Sequence, residues 1–206
     1  MAFPKPALIA LILFAVYMIV AFGVRTVQHL RTTGSTGFQG ISGKPGSASW
    51  FGGVLFALAL VIGVSAPILE LAGYVKSIIE GPAWITWSAM AIAVMGTLAT
   101  YGSQVAMGKS WRIGVRETER THLVIDGPFR IVRNPIFSCM LVTATGFTLF
   151  VPNALSLVSL VCLFVAIELQ VRVVEEPYLY RTHGESYAEY CKQVGRFVPG
   201  FGLRRF

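Results

Sequence analysis

IFSCMLVTATGFTLFVPNALSLVSLVCLFVAIELQV, residues 136–171, holds two apolar runs joined by VPNA at 151–154. Each run, 136–151 and 154–171, approaches the roughly 17–20 residues with which a helix crosses the hydrocarbon core of a bilayer. A connection this short forces the two runs into an antiparallel helical hairpin. The polar flanks of that hairpin, 104–135 and 172–206, therefore return side by side to one membrane face.

Outward from the hairpin, three more apolar blocks occupy 6–23, 51–72 and 84–103. The 206 residues are 54% hydrophobic and only 13% charged, where a soluble domain carries about a quarter. The expected fold is an all-α integral membrane protein of about five transmembrane helices, ending in the hairpin and an amphipathic tail helix. It divides into N-terminal helices, 1–103, with a Gly-rich loop, and a C-terminal region, 104–206. The first block has only Lys5 before it, and VAFGVR is a poor small-x-small cleavage site, so a retained helix is expected rather than a signal peptide. Of the seventeen Lys and Arg residues, all but Lys5 and Lys76 fall on one side of the five spans. The positive-inside rule puts that side, made of the first loop, the third loop and the tail, in the cytoplasm. This topology accounts for the net charge of +7, and no nucleic-acid partner is implied. Cys139, Cys162 and Cys191 have no C-x-x-C spacing, which argues against a disulfide framework, a zinc site or any other metal.

The first loop, RTTGSTGFQGISGKPGSASW, reads as a flexible linker or as an ordered lid at the cytoplasmic mouth. Pro67 suggests a kink near the outer end of the second span; Glu70 beside it has no evident role. The fifth helix is expected to continue to Gly184, bent or broken near Pro177. Beyond it, Tyr187, Tyr190, Cys191 and Val194 share one helical face, as in a helix lying at the membrane interface. Phe197, Phe201 and Phe206 would anchor the chain end, with Arg204 and Arg205 facing headgroups.

Ionisable groups at membrane depth are costly and mark functional sites by default. Glu168, Arg172 and Glu175 follow at i, i+4 and i+7 near the cytoplasmic end of the fifth span; they form either a self-neutralising ladder or one wall of a polar pocket. The opposite wall would be GPFRIVRNPIF, residues 127–137. Arg133 is able to clamp a carboxylate bidentately, while Arg130 reads as a positive-inside anchor. Pro135 biases Asn134 toward extended backbone, irregularity that a membrane edge tolerates where it lines a cavity. Phe129, Phe137, Tyr178 and Tyr187 add rings. Such a mixture suits a polar, zwitterionic, partly aromatic ligand that meets an apolar one. His29 reads as interfacial, His183 as a helix-end residue, and His122 as either a pocket residue or an ordinary one. No Ser-His-Asp or H-x-x-x-H spacing supports a hydrolase or metalloprotease.

HLVIDGPFRIVRNPIF, followed some 40 residues later by EEPYLYRTHGESYAEYCKQVGRFVP, resembles the C-terminal signature of the isoprenylcysteine carboxyl methyltransferase and phospholipid methyltransferase superfamily. The matching residues include Leu123, Val124, Gly127, Pro128, Phe129, Arg133, Pro135, Glu175, Glu176, Leu179, Tyr187, Tyr190 and Pro199. MGKSWRIGV upstream resembles the bacterial branch, which implies a bacterial inner membrane. Asn134 stands where the family usually has His; it keeps a donor and an acceptor but cannot titrate. The resemblance implies S-adenosylmethionine as cofactor, entering from the cytoplasm. One wall would be His122, Leu123, Val124, Gly127, Pro128, Phe129, Arg133, Asn134 and Pro135, and the other Glu175 and Glu176. A lipophilic small molecule or lipid, carrying a carboxylate, amine or similar acceptor, would arrive from the bilayer. Glu168 would act as base for an acceptor that needs one, and Arg172 would orient Glu168 or an anionic acceptor. Two other classes stay open at the level of sequence: an NADPH-dependent membrane reductase of the sterol-reductase type, and a non-enzymatic membrane protein that kept the fold. Neither the acceptor nor the oligomeric state is legible.

Overall fold

The computed structural model of the protein describes residues 5–79, 81–114 and 122–204. The charges of Arg116, Arg120 and Arg205 and the ring of Phe206 lie outside the described residues. Among these residues the chain is helical, in the order α1 (Pro6–Met18), α2 (Arg25–Thr33), α3 (Ala48–Leu71), α4 (Ala83–Met107), α5 (Pro135–Phe150), α6 (Ala154–Leu169), α7 (Glu176–His183) and α8 (Glu185–Gln193). Two π-helical turns, Ile19–Val24 and Gln170–Glu175, splice α1 to α2 and α6 to α7 without a break. Four continuous helical stretches are long and apolar enough to cross a membrane: Pro6–Thr33, Ala48–Leu71, Ala83–Ser110 and Ala154–His183. The fifth expected span, α5, has 16 residues, about 24 Å at 1.5 Å per residue. It leans on α4 along its length. The protein is an all-α integral membrane protein.

Local chemistry explains the helix ends. Pro135 starts α5 at a first-turn position, where its missing N–H costs nothing. Asn153 and Ser156 form a reciprocal capping box at the start of α6, so the VPNA turn is fixed by its own side chains. Asn153 also donates from Nδ2 to Glu70 Oε2 at 2.9 Å and to Ala66 O at 3.3 Å. Glu70 thus ties α3 to the hairpin turn, a role its sequence position does not disclose. α3 runs through Pro67 to Leu71. Pro177 does not break the last long helix, because the π turn just before it absorbs the irregularity.

The hairpin legs α5 and α6 touch, but each packs more extensively on another helix, α5 on α4 and α6 on α3. Small residues allow the first contact. A Cβ on Gly146 would lie 2.4 Å from Ala93 N, and one on Gly96 2.7 Å from Thr143 N. A second core, of Ala59, Met140, Leu163, Ile167 and Val171, joins α3, α5 and α6.

The polar connections gather at one end of the bundle. Gln39 N donates to Ile113 O and Ile113 N to Gly37 O, both at 2.8 Å, so the Gly-rich loop is strapped to the segment after α4. Ser110 Oγ bonds His122 O, and Val132 pairs with Gly195. At the opposite end the segment after α3 meets the hairpin turn through Ile78 N to Pro152 O at 2.7 Å. The tail helix α8 forms as expected, but its apolar face is turned into the protein, with Tyr187 and Cys191 buried.

Candidate active site

At the polar end lies a cavity of about 430 Å³. His122, Leu123, Val124, Phe129, Arg133, Asn134, Pro135 and Glu175 line it, so the two sequence-distant motifs share one chamber. Phe137, Tyr178 and Tyr187 line it as well. The other side is apolar and deeper, made by Phe22, Gly53, Phe56, Leu60 and Met140 from α3, α5 and the first π turn. One chamber therefore joins a polar mouth to a bilayer-depth apolar wall.

The motif loop is shaped by its own sequence. Gly127 has φ +59°, a conformation that glycine adopts freely, and starts a short 3-10 turn with Pro128. The turn drives Phe129 inward, and Tyr190 Oη donates to Phe129 O at 2.5 Å. Gly127 and Pro128 are not on the cavity wall; they shape the loop that is. Arg130 points away and pairs with Asp126 at 2.8 Å, both exposed.

The paired acids part company. Glu176 is 1% exposed and is saturated by cations. Arg196 donates to it from Nε at 2.7 Å and from Nη2 at 2.9 Å, Arg133 Nη2 reaches it at 3.0 Å, and Arg204 Nη1 at 3.4 Å. Glu175 instead faces the cavity, hydrogen-bonded to Gln170 and within electrostatic reach of Arg112. The π turn is the physical reason. It inserts an extra residue into the helical repeat, so the i, i+4, i+7 ladder ends at Arg172 and Glu175 rotates inward. Glu168 and Arg172 pair with each other, with Arg172 half-exposed, and neither lines the cavity.

Arg133 is held by main-chain carbonyls. Its Nη1 donates to Cys191 O at 3.2 Å and to Val194 O, and its Nη2 also donates to Gly202 O at 3.0 Å. Asn134 bonds Arg196 O through its main-chain N–H at 3.1 Å and through Nδ2 at 3.2 Å. Burial pushes the Cys191 thiol and the Tyr190 hydroxyl above their ordinary ranges, so neither is a nucleophile near neutral pH.

Sequence reasoning missed several wall residues. Gln104 was expected at the start of a polar loop, but α4 runs on past it. Gln104 is 1% exposed, borders the cavity, and donates from Nε2 to Ala21 O in the first π turn at 3.0 Å. Trp111 and Arg112, in the quoted MGKSWRIGV, line the chamber, with Arg112 over the Tyr178 ring at 4.6 Å. Phe38, Gly40, Ile41 and Ser42 bring the Gly-rich loop onto the wall. His29 is buried against Trp111 rather than interfacial. Among the described residues no group of three His, Cys, Asp or Glu side chains gathers as a metal site requires.

A chamber with a polar mouth and an apolar depth, walled by these motifs, suits a membrane methyltransferase. The phospholipid methyltransferase family matches residues 84–186, half of the chain, and the protein belongs to that family. Among curated proteins it is similar to protein-S-isoprenylcysteine O-methyltransferase B of Arabidopsis thaliana, 25% identical over 146 residues that cover 70% of this chain and 73% of the relative. Protein-S-isoprenylcysteine O-methyltransferase A of the same plant is 25% identical over 141 residues, 65% and 72% of the two chains.

Proposed function

We propose that the protein transfers a methyl group from S-adenosylmethionine to a lipophilic acceptor at the cytoplasmic face of a bacterial inner membrane. One observation carries the reading: a single chamber has the family's polar motifs at its mouth and apolar helix faces at its depth. The residues fit the donor. His122 and the main chain of Leu123 and Val124 offer polar contacts, Phe129 and Tyr178 offer rings, and Glu175 offers a carboxylate to an amine or ribose hydroxyl. Arg133 adds a positive charge behind this wall, its Nε–H buried and without a hydrogen-bond partner among the described residues. Asn134 and Pro135 complete that wall, Gly127 and Pro128 shape it, and Glu176 holds Arg133 in it. In this reading 104–206 is the catalytic region, and 1–103 adds the first π turn, the Gly-rich loop and α3 to its wall.

The donor supplies a methyl carbon on a sulfonium. As the acceptor's lone pair forms its bond to that carbon, the carbon–sulfur bond breaks and a neutral thioether leaves. Charge is dispersed in this step, so the protein's main task is alignment and exclusion of water. The apolar wall from Phe22 to Met140 performs the exclusion. A carboxylate acceptor needs no base. An amine or thiol acceptor does, and Glu168, which pairs with Arg172 away from the cavity wall, is not placed to supply it.

Membranes containing the protein, given methyl-tritiated S-adenosylmethionine, should yield label in the solvent-extracted lipid fraction. Membranes without the protein should not. Equal label in both would remove the assignment.

A further inference from the structure

Arg133 has five guanidinium hydrogens. The two on Nη1 go to Cys191 O and Val194 O, and the two on Nη2 to Glu176 and Gly202 O. Nε–H has no partner and is itself buried, so the guanidinium is locked behind the chamber wall that Arg133 helps to form. The bidentate clamp expected from sequence is thus unavailable while residues 191–202 stay in place. Arg196 sets this arrangement. It is 6% exposed, grips Glu176 with two bonds, and its carbonyl takes both donors of Asn134. It lies beyond the residues matched by the family, which end at 186.

We propose that Arg196 is a positioning residue of the donor wall. Through Glu176 it fixes the plane of Arg133 so that neither Nη group turns toward the chamber, and through its own carbonyl it fixes Asn134. The inference rests on the donor site proposed above. A tether for the chain end would need one bond. Here three main-chain carbonyls and a carboxylate converge on the guanidinium of one cavity-lining residue, which holds that group behind the wall. Without Arg196, Glu176 keeps Arg133 and Arg204 but loses its bidentate partner. Arg133 is then free to turn an Nη group toward the chamber, and Asn134 loses its anchor.

The test uses the full chain in lipid nanodiscs. Binding of S-adenosylhomocysteine is measured by calorimetry for the wild type, Arg196→Ala, Arg196→Lys and Arg204→Ala. Loss of a charge-assisted pair corresponds to about tenfold or more. Arg196→Ala should weaken binding by that factor, Arg196→Lys by less, and Arg204→Ala hardly at all. In the transfer assay Arg196→Ala should raise KM for S-adenosylmethionine and leave KM for the extracted acceptor lipid unchanged. Wild-type affinity in Arg196→Ala overturns the proposal, as does an equal loss for donor and acceptor. Should Arg196→Ala fail to fold, Arg196→Lys decides: wild-type donor affinity overturns the role, and an intermediate loss supports it. A second readout does not depend on the donor. Cys191 is fully buried under the held segment, with its thiol shifted up, so maleimide at pH 7.5 should label it in Arg196→Ala and not in the wild type. If the wild type binds no S-adenosylhomocysteine, the donor reading falls on that result alone. The Cys191 readout then judges whether Arg196 holds the 191–202 segment, and protection retained in Arg196→Ala overturns that role.

Discussion

At the scale of the residue, the adjacent carboxylates Glu175 and Glu176 divide two tasks. Glu176→Ala strips the common partner from Arg133, Arg196 and Arg204 and leaves buried cations uncompensated, a loss of about 3–5 kcal/mol by precedent for buried pairs. A thermal melt in detergent should show it as a large drop in Tm. Glu175→Gln should melt near the wild type yet bind S-adenosylhomocysteine more weakly, because its carboxylate faces the chamber rather than a salt-bridge network. Wild-type donor binding in Glu175→Gln would take Glu175 out of the site. The EE dipeptide was legible as two acids beside a pocket. Which acid lines the chamber was not, because that depends on a π turn, and the turn leaves no mark in an α-helical repeat. Arg196 was equally hidden, since its meaning comes from contacts 20 to 62 residues away.

At the scale of the element, the α4–α5 contact is closed by glycine. Gly146→Val would press its Cβ and methyl groups into the Ala93 backbone. The two helices must then separate, at a cost of about 1–3 kcal/mol or more for overpacking. The expected result is a lower Tm and weaker donor binding together, because α5 carries Pro135, Phe137 and Met140 into the chamber. Asn153→Ala removes a cap worth about 1 kcal/mol together with the ties to Glu70 and Ala66. Tm should fall while affinity for S-adenosylhomocysteine holds, since this turn lies at the far end. The hairpin and the five apolar blocks were readable because hydrophobic length and a four-residue turn dictate them. The extension of α4 past Gln104 was not readable, because a polar residue after an apolar run resembles a loop until its buried partner, Ala21 O, is known.

At the scale of the whole molecule, the first loop, the segments 110–114 and 122–135 and the described part of the tail meet at one end, as the distribution of Lys and Arg leads one to expect. Cysteines placed at Ser110 and Glu185 should react only with membrane-permeant reagent in right-side-out cells, and one at Ser77 with impermeant reagent as well. Ser110 and Glu185 labelled from outside would reverse the orientation. Whether the Gly-rich loop is linker or lid was undecidable from composition. The structure makes it wall, strapped to Ile113 and seating Ile41 against Gly53, where only glycine leaves room. The central claim is that a methyl donor sits between the 122–135 loop and the helix around Glu175. Its most direct test is ultraviolet crosslinking of methyl-labelled S-adenosylmethionine to the protein in nanodiscs, followed by peptide mapping. Label on peptides spanning 122–135 or 170–179, displaced by unlabelled S-adenosylhomocysteine, is the predicted result. Label confined to other helices, or none that S-adenosylhomocysteine displaces, would contradict it.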